Sequence, residues 1–408
     1  MPADVRTLTA RWVFPTSSPP LERGTLTIRG DKIEAVESRG VRIPDEDLGN
    51  AALIPGLVNA HTHLDLSGAR GLIPPTDPDH FTDWLKGVIA FRRTRSEEQT
   101  LADIAAGLAE CLRFGTTLIG DIASEGKSWE TLASAKARAV VFFELIGLSE
   151  ERANAAVERA KEFAKRVDET HAVGDHVTRL AFSPHAPYSV HRRLFPTVGN
   201  HLCREPNPKR SLAVHLAETS AELELLYHRR GPFVAFLQEL GAYDPGGLAD
   251  SFDQVMTVCD FRQPKLFVHA NHLAPSARIP RNSTIVYCPR THAAFGHPPH
   301  PFRDFLARGV RVCLGTDSLA SNPDLDILAE ARFVHAKYPD FPGEQLLKMV
   351  TLSGAEALGW ADECGSLDPG KSADVVAVPL PDRDGESHEL LFSDTPGERR
   401  TMWRGEWR

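Results

Sequence analysis

The stretch LIPGLVNAHTH at residues 53–63 joins an apolar strand to two histidines spaced two residues apart. In a β-strand, alternate side chains lie on the same face, so His61 and His63 point to one side while Thr62 points to the other. Two imidazoles on one face can chelate a single ion. An HxH pattern also occurs in ordinary polar loops. The pair therefore indicates a metal site only together with further ligand-type residues later in the chain.

Further apolar strand candidates come after this stretch, and most of them are separated by amphipathic, helix-like segments. They lie at residues 116–123, 139–148, 179–187, 211–218, 265–273, 283–289 and 310–318. Alternating strands and helices predict a parallel sheet, and eight strands in this order predict an α/β fold of the TIM type, a (β/α)8 barrel. We assign residues 53–363 to this barrel.

The two ends of the chain predict a second, smaller unit. Residues 5–50 contain short strands with turns, for example at Gly30 and Asp31. The stretch GSLDPGKSADVVAVPL at residues 365–380 is typical of a turn and a strand, and it lies too late in the chain to be a ninth barrel strand. We therefore predict that residues 1–52 and 364–408 form one small composite β domain.

Composition excludes several classes of protein. The 408 residues include 46 Lys and Arg against 55 Asp and Glu, without a basic stripe, so nucleic acid is not an expected partner. No segment approaches the roughly 20 apolar residues of a membrane span, and no secretory signal precedes the first strands. The six cysteines have no CxxC spacing, which indicates free thiols. We expect a soluble, cytoplasmic protein with a small-molecule substrate, and we leave a homodimer open.

Polar side chains recur at the ends of the later strand candidates, where TIM barrels place their active sites. His215 ends the run SLAVH and Asp317 ends VCLGTD, so both can join His61 and His63 at one mouth. Singly, His215 could be a core histidine and Asp317 a helix cap. Together, three imidazoles and one carboxylate match the preferences of zinc. We predict a site for one divalent ion, with zinc first and iron or manganese as alternatives.

Glu218 and His269 are predicted to act beside this ion. Glu218 follows His215 by three residues, which lets its carboxylate reach a metal-bound water without ligating the metal. His269 ends the run LFVH and is either a further neighbour of the metal or, as we prefer, a hydrogen-bond donor to the substrate. The predicted catalytic set is Glu218, His269 and Asp317. Loop positions or positions behind the site are expected for His272, His292, His297 and His300.

As an ordered set, the motifs HTH, HLAET, HANH and GTDSLASN resemble the amidohydrolase superfamily, in its branch of aminohydrolases and triazine chlorohydrolases. The resemblance covers residues 55–322, and the flanking segments are similar to that family's small β domain. It implies one metal ion on His61, His63, His215 and Asp317, since the fourth strand lacks the lysine that binuclear relatives carboxylate. His185 in SPHAPYS matches a position that contacts substrate in mononuclear aminohydrolases.

A narrower resemblance links HTHLDLS and FTDWLKGVIAFRR to aminodeoxyfutalosine deaminases of the alternative menaquinone pathway, although Asp65 and Leu66 depart from that pattern. It implies an aminohydrolase that deaminates an aminopurine nucleoside by attack of metal-bound hydroxide, with release of ammonia. The resemblance also implies substrate contacts. They are expected from His185, from Glu218 and, for a benzoate, from Arg290, Arg92 or Arg93. The alternatives are a chlorohydrolase or other ring hydrolase of the same superfamily, and a non-catalytic barrel paralogue.

Overall fold

The computed structural model describes residues 5–170, 177–203 and 210–408. Its strands are β1 (Val5–Thr9), β2 (Trp12–Val13), β3 (Leu21–Glu22), β4 (Thr25–Arg29), β5 (Lys32–Glu37), β6 (Glu46–Asp47), β7 (Ala51–Pro55), β8 (Leu57–Thr62), β9 (Thr116–Ser124), β10 (Arg138–Leu145), β11 (Thr178–Pro184), β12 (Leu212–Leu216), β13 (Lys265–His269), β14 (Ser283–Tyr287), β15 (Arg311–Leu314), β16 (Val375–Pro379), β17 (Arg400–Trp403) and β18 (Glu406–Trp407).

The α-helices of the same residues are α1 (Phe81–Thr94), α2 (Glu97–Arg113), α3 (Trp129–Ala133), α4 (Glu150–Thr170), α5 (Leu194–Thr197), α6 (Ser220–His228), α7 (Pro232–Glu239), α8 (Phe252–Val258), α9 (Pro289–Ala294), α10 (Phe302–Ala307), α11 (Ile327–Lys337), α12 (Gly343–Met349), α13 (Leu352–Ala357) and α14 (Ser387–Phe392).

Strands β8 to β15 form one eight-stranded sheet in which neighbours in the chain are neighbours in space and every pairing is parallel. Each strand candidate of the sequence analysis contributes one of these strands, which confirms the predicted TIM-type barrel. The ring closes where Thr62 bridges to Asp317 in parallel register. At this seam the buried Asn59 side chain donates to Thr316 Oγ1 at 2.8 Å and accepts from the Thr316 N–H at 3.1 Å.

The prediction of a single strand over residues 53–63 is wrong. The chain forms two strands there, β7 and β8, which belong to different sheets. Gly56 separates them, and a Cβ atom there would stand 2.1 Å from Thr117 Oγ1. The chain therefore passes from one sheet to the other at a residue that leaves room for strand β9.

The chain forms two further sheets, one from N-terminal strands alone and one that combines both ends of the chain. Strands β5, β4, β1 and β6 make a four-stranded sheet, and β18, β17, β16, β7, β2 and β3 make a six-stranded one. Strand β16 pairs antiparallel with β7, with Val375 opposite Pro55, so the C-terminal segment returns to the N-terminal one as predicted. The exact division at residues 52 and 364 stays a prediction, and residues 1–4 of the predicted unit lie outside the described part.

Two predictions from composition can be compared with the structure. The six cysteines are all free and buried, which agrees with the expectation of free thiols. Within the described ranges, no helix combines the length and the apolar character that crossing a bilayer requires.

The seam between β8 and β15 gives a first test. Replacing Asn59 by Ala removes both side-chain hydrogen bonds to Thr316 and leaves the buried Thr316 N–H without that partner. We expect the free energy of unfolding to fall by about 1–3 kcal/mol, measured by urea denaturation. Asn154→Ala, on the exposed side of α4, is the control and should leave the midpoint unchanged. Equal midpoints for the two variants would contradict a structural role for the seam.

Candidate metal centre

Four ligand-type side chains meet at the carboxyl end of the barrel. His61 lies in β8 and His63 directly after it, His215 lies in β12, and Asp317 follows β15. All four are at least 90 % buried, with exposed fractions between 1 % and 7 %. Because β8 and β15 meet at the seam, the first and last barrel strands place their donors side by side. The structure thus brings together every predicted metal ligand.

The distances between the donor atoms suit one cation. His63 Nε2 is 3.2 Å from His215 Nε2, and Asp317 Oδ1 is 3.4 Å from His61 Nε2 and 3.6 Å from His63 Nε2. In a tetrahedral site with bonds of about 2.0–2.1 Å, neighbouring donors stand about 3.3–3.4 Å apart. The buried His61 Nε2 makes no hydrogen bond to any described residue. The residues present therefore fit a zinc-like ion.

Proton placement on the histidines supports the same interpretation. His215 Nδ1 lies 3.1 Å from the carbonyl oxygen of His185, and a carbonyl can only accept, so Nδ1 carries the hydrogen. His215 Nε2 is then a bare lone pair aimed at His63, which is the arrangement seen when a second contact fixes the tautomer of a metal ligand. Burial and the neighbouring imidazoles also hold the pKa values of His63 and His215 well below the usual range, so both rings are neutral.

Asp317 is held in an unusual backbone conformation. Its φ angle is +60°, in the left-handed region that a residue other than glycine seldom adopts. Ser321 Oγ donates to Asp317 Oδ2 at 2.8 Å, while the Asp317 N–H donates to the His61 carbonyl at 3.1 Å. Burial alone would raise the pKa of Asp317, but the imidazoles of His61, His269 and His63 lower it below its ordinary value. The carboxylate is therefore charged and ready to ligate a cation.

Sequence reasoning missed Asp121, which supports the HTH motif from β9. Its Oδ1 accepts hydrogen bonds from Thr62 Oγ1 at 3.0 Å and from the Leu64 N–H at 2.9 Å. Ser128 Oγ donates to its other oxygen at 2.5 Å. Burial raises the pKa of Asp121 to about 7. An acidic residue inside the otherwise apolar run TTLIGDIA was the signal that could have revealed it.

Glu218 and His269 lie together beside the four donors. His269 Nε2 is 3.4 Å from Glu218 Oε1, and both side chains are buried. Burial, followed by the negative charges of Asp317 and Glu222, raises the pKa of Glu218 well above its ordinary value. Burial lowers the pKa of His269 to about 3, so its ring is neutral. A carboxyl group that binds a proton this readily suits a proton shuttle.

A cavity of about 370 Å³ opens onto these groups. One wall comes from a single face of α1, at positions that repeat with helical spacing. The residues of that face are Phe81, Trp84, Leu85, Val88, Ile89 and Arg92. Helix α7 and its end add Phe236, Leu237 and Leu240 on another side. The cavity therefore has an apolar wall above a polar floor, the usual form of a small-molecule site.

His185 lies where the sequence resemblance places it, on the cavity next to His215, with ring centroids 4.7 Å apart. Its Nδ1 is 2.7 Å from Ser189 Oγ, and its Nε2 is 3.9 Å from Glu144 Oε1. Burial lowers the pKa of His185 to about 3. A neutral ring with one nitrogen engaged by Ser189 leaves the other available to a ligand.

The three arginines considered for a carboxylate are placed very differently. Arg290 pairs with Glu330 at 2.6 Å and with Asp324 at 2.7 Å, and it does not line the cavity. Arg92 lines it, but its Nε is 3.0 Å from Asp65 Oδ2. Arg93 lines the cavity and has no side-chain partner among the described residues. The structure thus brings Arg92 and Arg93, and not Arg290, to the predicted site.

A fourth arginine, which no sequence pattern singles out, also lines the cavity. Arg152 extends from the first turn of α4, is exposed, and shows no side-chain partner within the described ranges. Arg152 lies at the cavity because of the way in which strand β10 and helix α4 are placed in the fold. Two unpaired guanidinium groups, those of Arg93 and Arg152, therefore stand at one cavity.

A buried donor set at the carboxyl end of a TIM-type barrel is typical of metal-dependent barrel enzymes. Residues 52–407 match the amidohydrolase family, and the chain belongs to that family. This confirms the predicted superfamily and the prediction of an enzyme that hydrolyses carbon–nitrogen bonds.

Three proteins that are similar in sequence or in fold can be compared with this chain. The 5-methylthioadenosine/S-adenosylhomocysteine deaminase of Syntrophobacter fumaroxidans is 31% identical over 342 residues, which cover 81% of this chain and 73% of that protein. Helicobacter pylori aminofutalosine deaminase in complex with methylthio-coformycin has a TM-score of 0.83 at 22% identity, covering 99% of this chain and 100% of the other. An adenosine deaminase of Xanthomonas campestris with bound zinc has a TM-score of 0.77 at 24% identity, covering 98% and 92%. The two structures are similar to this chain in fold.

Metal content tests the donor set. We expect His215→Ala to lower the affinity for zinc by about tenfold or more, because one of four converging donors is lost. The measurement is zinc per chain by atomic emission after dialysis against a metal buffer, with circular dichroism as the check of folding. His228→Ala, an exposed histidine of α6, is the control. Equal zinc contents in the two variants would remove His215 from the site.

Proposed function

We propose that this chain is a metal-dependent aminohydrolase that deaminates an adenine-type nucleoside. The observation that carries the proposal is the position of Glu218. Its buried carboxyl group lies 3.4 Å from His269 Nε2, at the floor of a cavity with an apolar wall. Beside it are two overlapping groups of donors that could hold a cation, His61 with His63 and Asp317, and His61 with His215 and His269. The deaminase names of similar proteins support the same reaction class.

The chemistry follows from the side chains around the cavity. A divalent ion held by His61, His63, His215 and Asp317 would lower the pKa of a coordinated water to about 7. Glu218 accepts a proton and returns it to a ring nitrogen of the nucleoside, which its raised pKa favours. His269 donates a hydrogen bond to the oxygen that adds to the amino-bearing carbon. The proton of the added hydroxyl group then moves to the amino group, the carbon–nitrogen bond breaks, ammonia leaves, and the ring carbonyl forms.

The upper part of the cavity favours a nucleoside with a large apolar substituent that ends in a carboxylate. The face of α1 supplies aromatic and aliphatic contact, and Arg93 and Arg152 offer unpaired guanidinium groups. Aminodeoxyfutalosine carries such a benzoate, and it is the substrate that we propose. A role in menaquinone biosynthesis goes with this substrate. Zinc is the proposed metal, while a cytoplasmic location and a homodimer stay predictions of the sequence.

Ammonia release from a panel of nucleosides tests the reaction. We expect the zinc-loaded protein to release ammonia from aminodeoxyfutalosine faster than from methylthioadenosine, S-adenosylhomocysteine or adenosine. Glu218→Gln should lower kcat by about 10²–10⁴-fold, because the proton shuttle is lost, with zinc content unchanged. Release of chloride from chlorinated rings without any ammonia would favour the chlorohydrolase alternative. Inactivity of the zinc-loaded protein towards both classes would contradict the proposed substrate class and favour another ring hydrolysis of the same superfamily.

The arginines at the cavity give a test of the substrate. Arg93→Ala and Arg152→Ala should each raise the KM for aminodeoxyfutalosine, by about tenfold for each 1.4 kcal/mol of lost binding, because a charged hydrogen bond is removed. The KM for methylthioadenosine, which has no carboxylate, should stay the same. Arg159→Ala, an exposed arginine of α4 that does not line the cavity, is the control. Equal effects on both nucleosides would contradict a carboxylate contact.

A further inference from the structure

His269 stands at a break in the barrel sheet. Strand β13 ends at this residue, and both His269 and Ala270 have positive φ angles, +67° and +55°. Two consecutive residues other than glycine in the left-handed region are strained, and they persist only where surrounding contacts hold them. The Ala270 N–H donates to the Leu216 carbonyl at 2.9 Å. The carbonyl of His269 itself needs a donor from elsewhere.

His300 supplies that donor from the Pro-rich loop between α9 and α10. Its Nε2 lies 2.7 Å from the carbonyl oxygen of His269. A carbonyl accepts only, so Nε2 carries the hydrogen and Nδ1 is left as a lone pair, buried and without a hydrogen bond to any described residue. The ring stacks on Tyr287, with centroids 4.1 Å apart and planes 21° from parallel. Stacking on Tyr287 fixes the His300 ring, and the hydrogen bond from that ring fixes the His269 carbonyl.

We propose that His300 is a positioning residue for His269. By holding the strained His269 peptide, it keeps His269 Nε2 turned towards Glu218, at the 3.4 Å separation seen here. This inference rests on the proposed function, because it is through that reaction that the position of His269 affects turnover. It also explains why the loop HPPHPF, at residues 297–302, brings a buried imidazole to the back of the site instead of to the substrate.

The first experiment compares His300→Phe with a matched control. Phenylalanine keeps an aromatic ring on Tyr287 but cannot donate to the His269 carbonyl, and glutamine in its place restores an N–H donor. His292→Phe is the control, since His292 is also buried and lies 5.5 Å from the Tyr287 ring, while the donor to the His269 carbonyl is His300. We expect His300→Phe to lower kcat for the best nucleoside by about tenfold or more with KM within about twofold.

Several outcomes distinguish a positioning role of His300 from a general loss of structure in the variant. His300→Gln should recover most of the activity, and His292→Phe should keep it. In a His269→Ala background, His300→Phe should lower kcat no further, because the two residues act through one group. The proposal is overturned if His300→Phe retains the original kcat, if the two phenylalanine variants lose activity equally, or if the losses multiply in the double variant.

A structural measurement, which does not depend on turnover, tests this inference separately from the proposed reaction. Crystal structures of the original protein and of His300→Phe should show the φ angle of His269 leaving the left-handed region in the variant alone. If no nucleoside is deaminated, the proposed reaction fails, and this structural comparison still decides whether His300 holds His269. An unchanged His269 backbone and ring in His300→Phe would overturn the proposal.

Discussion

The architecture of the site depends on buried donor atoms from distant strands that converge on one point, where a cation would stabilise them. His63 and His215 turn ring nitrogens towards each other at 3.2 Å, and the tautomer of His215 leaves its nitrogen without a hydrogen. Each ring is buried and neutral, and the carboxylate of Asp317 completes the group. An ion bound among these donors would compensate them for their removal from water. The supporting contacts of Asp121 and Ser321 therefore hold a geometry that the ion in turn stabilises.

The floor of the cavity and its wall have different physical characters, and they serve different purposes. Charged and ionisable groups at the strand ends provide the reaction chemistry. Apolar side chains from α1 and α7 exclude water from it, which strengthens every electrostatic contact below. Helix α1 is itself tied down on two sides, by Arg92 to Asp65 of the barrel mouth and by Lys86 to Glu239 of α7. Specificity can therefore change along the wall while the floor stays the same.

The amino-acid sequence predicts most of the barrel and of the donor set, because both depend on local periodicity. The end of a strand can be recognised from the residues next to it in the chain. The four predicted ligands all stand at strand ends: His61, His63, His215 and Asp317. Contacts between distant long side chains are not local. Arg290 is a predicted substrate contact, yet its guanidinium group binds Asp324 and Glu330, more than 30 positions away. The break at Gly56 was missed for a related reason, because only the neighbouring strand β9 requires it.

The position of the donors at the seam of the barrel has a consequence for how the protein folds. His61 precedes nearly the whole barrel in the chain and Asp317 follows it, yet the two side chains are 3.4 Å apart. A nascent chain has no complete ion site until its last barrel strand docks against its first. Because the ligands from these two strands lie far apart in the sequence, metal capture is a late event in folding. The bound ion then joins the two ends of the ring, and its binding free energy opposes local opening there. Chelation should accordingly loosen the protein first at β8 and β15, long before the remaining strands exchange their amide hydrogens.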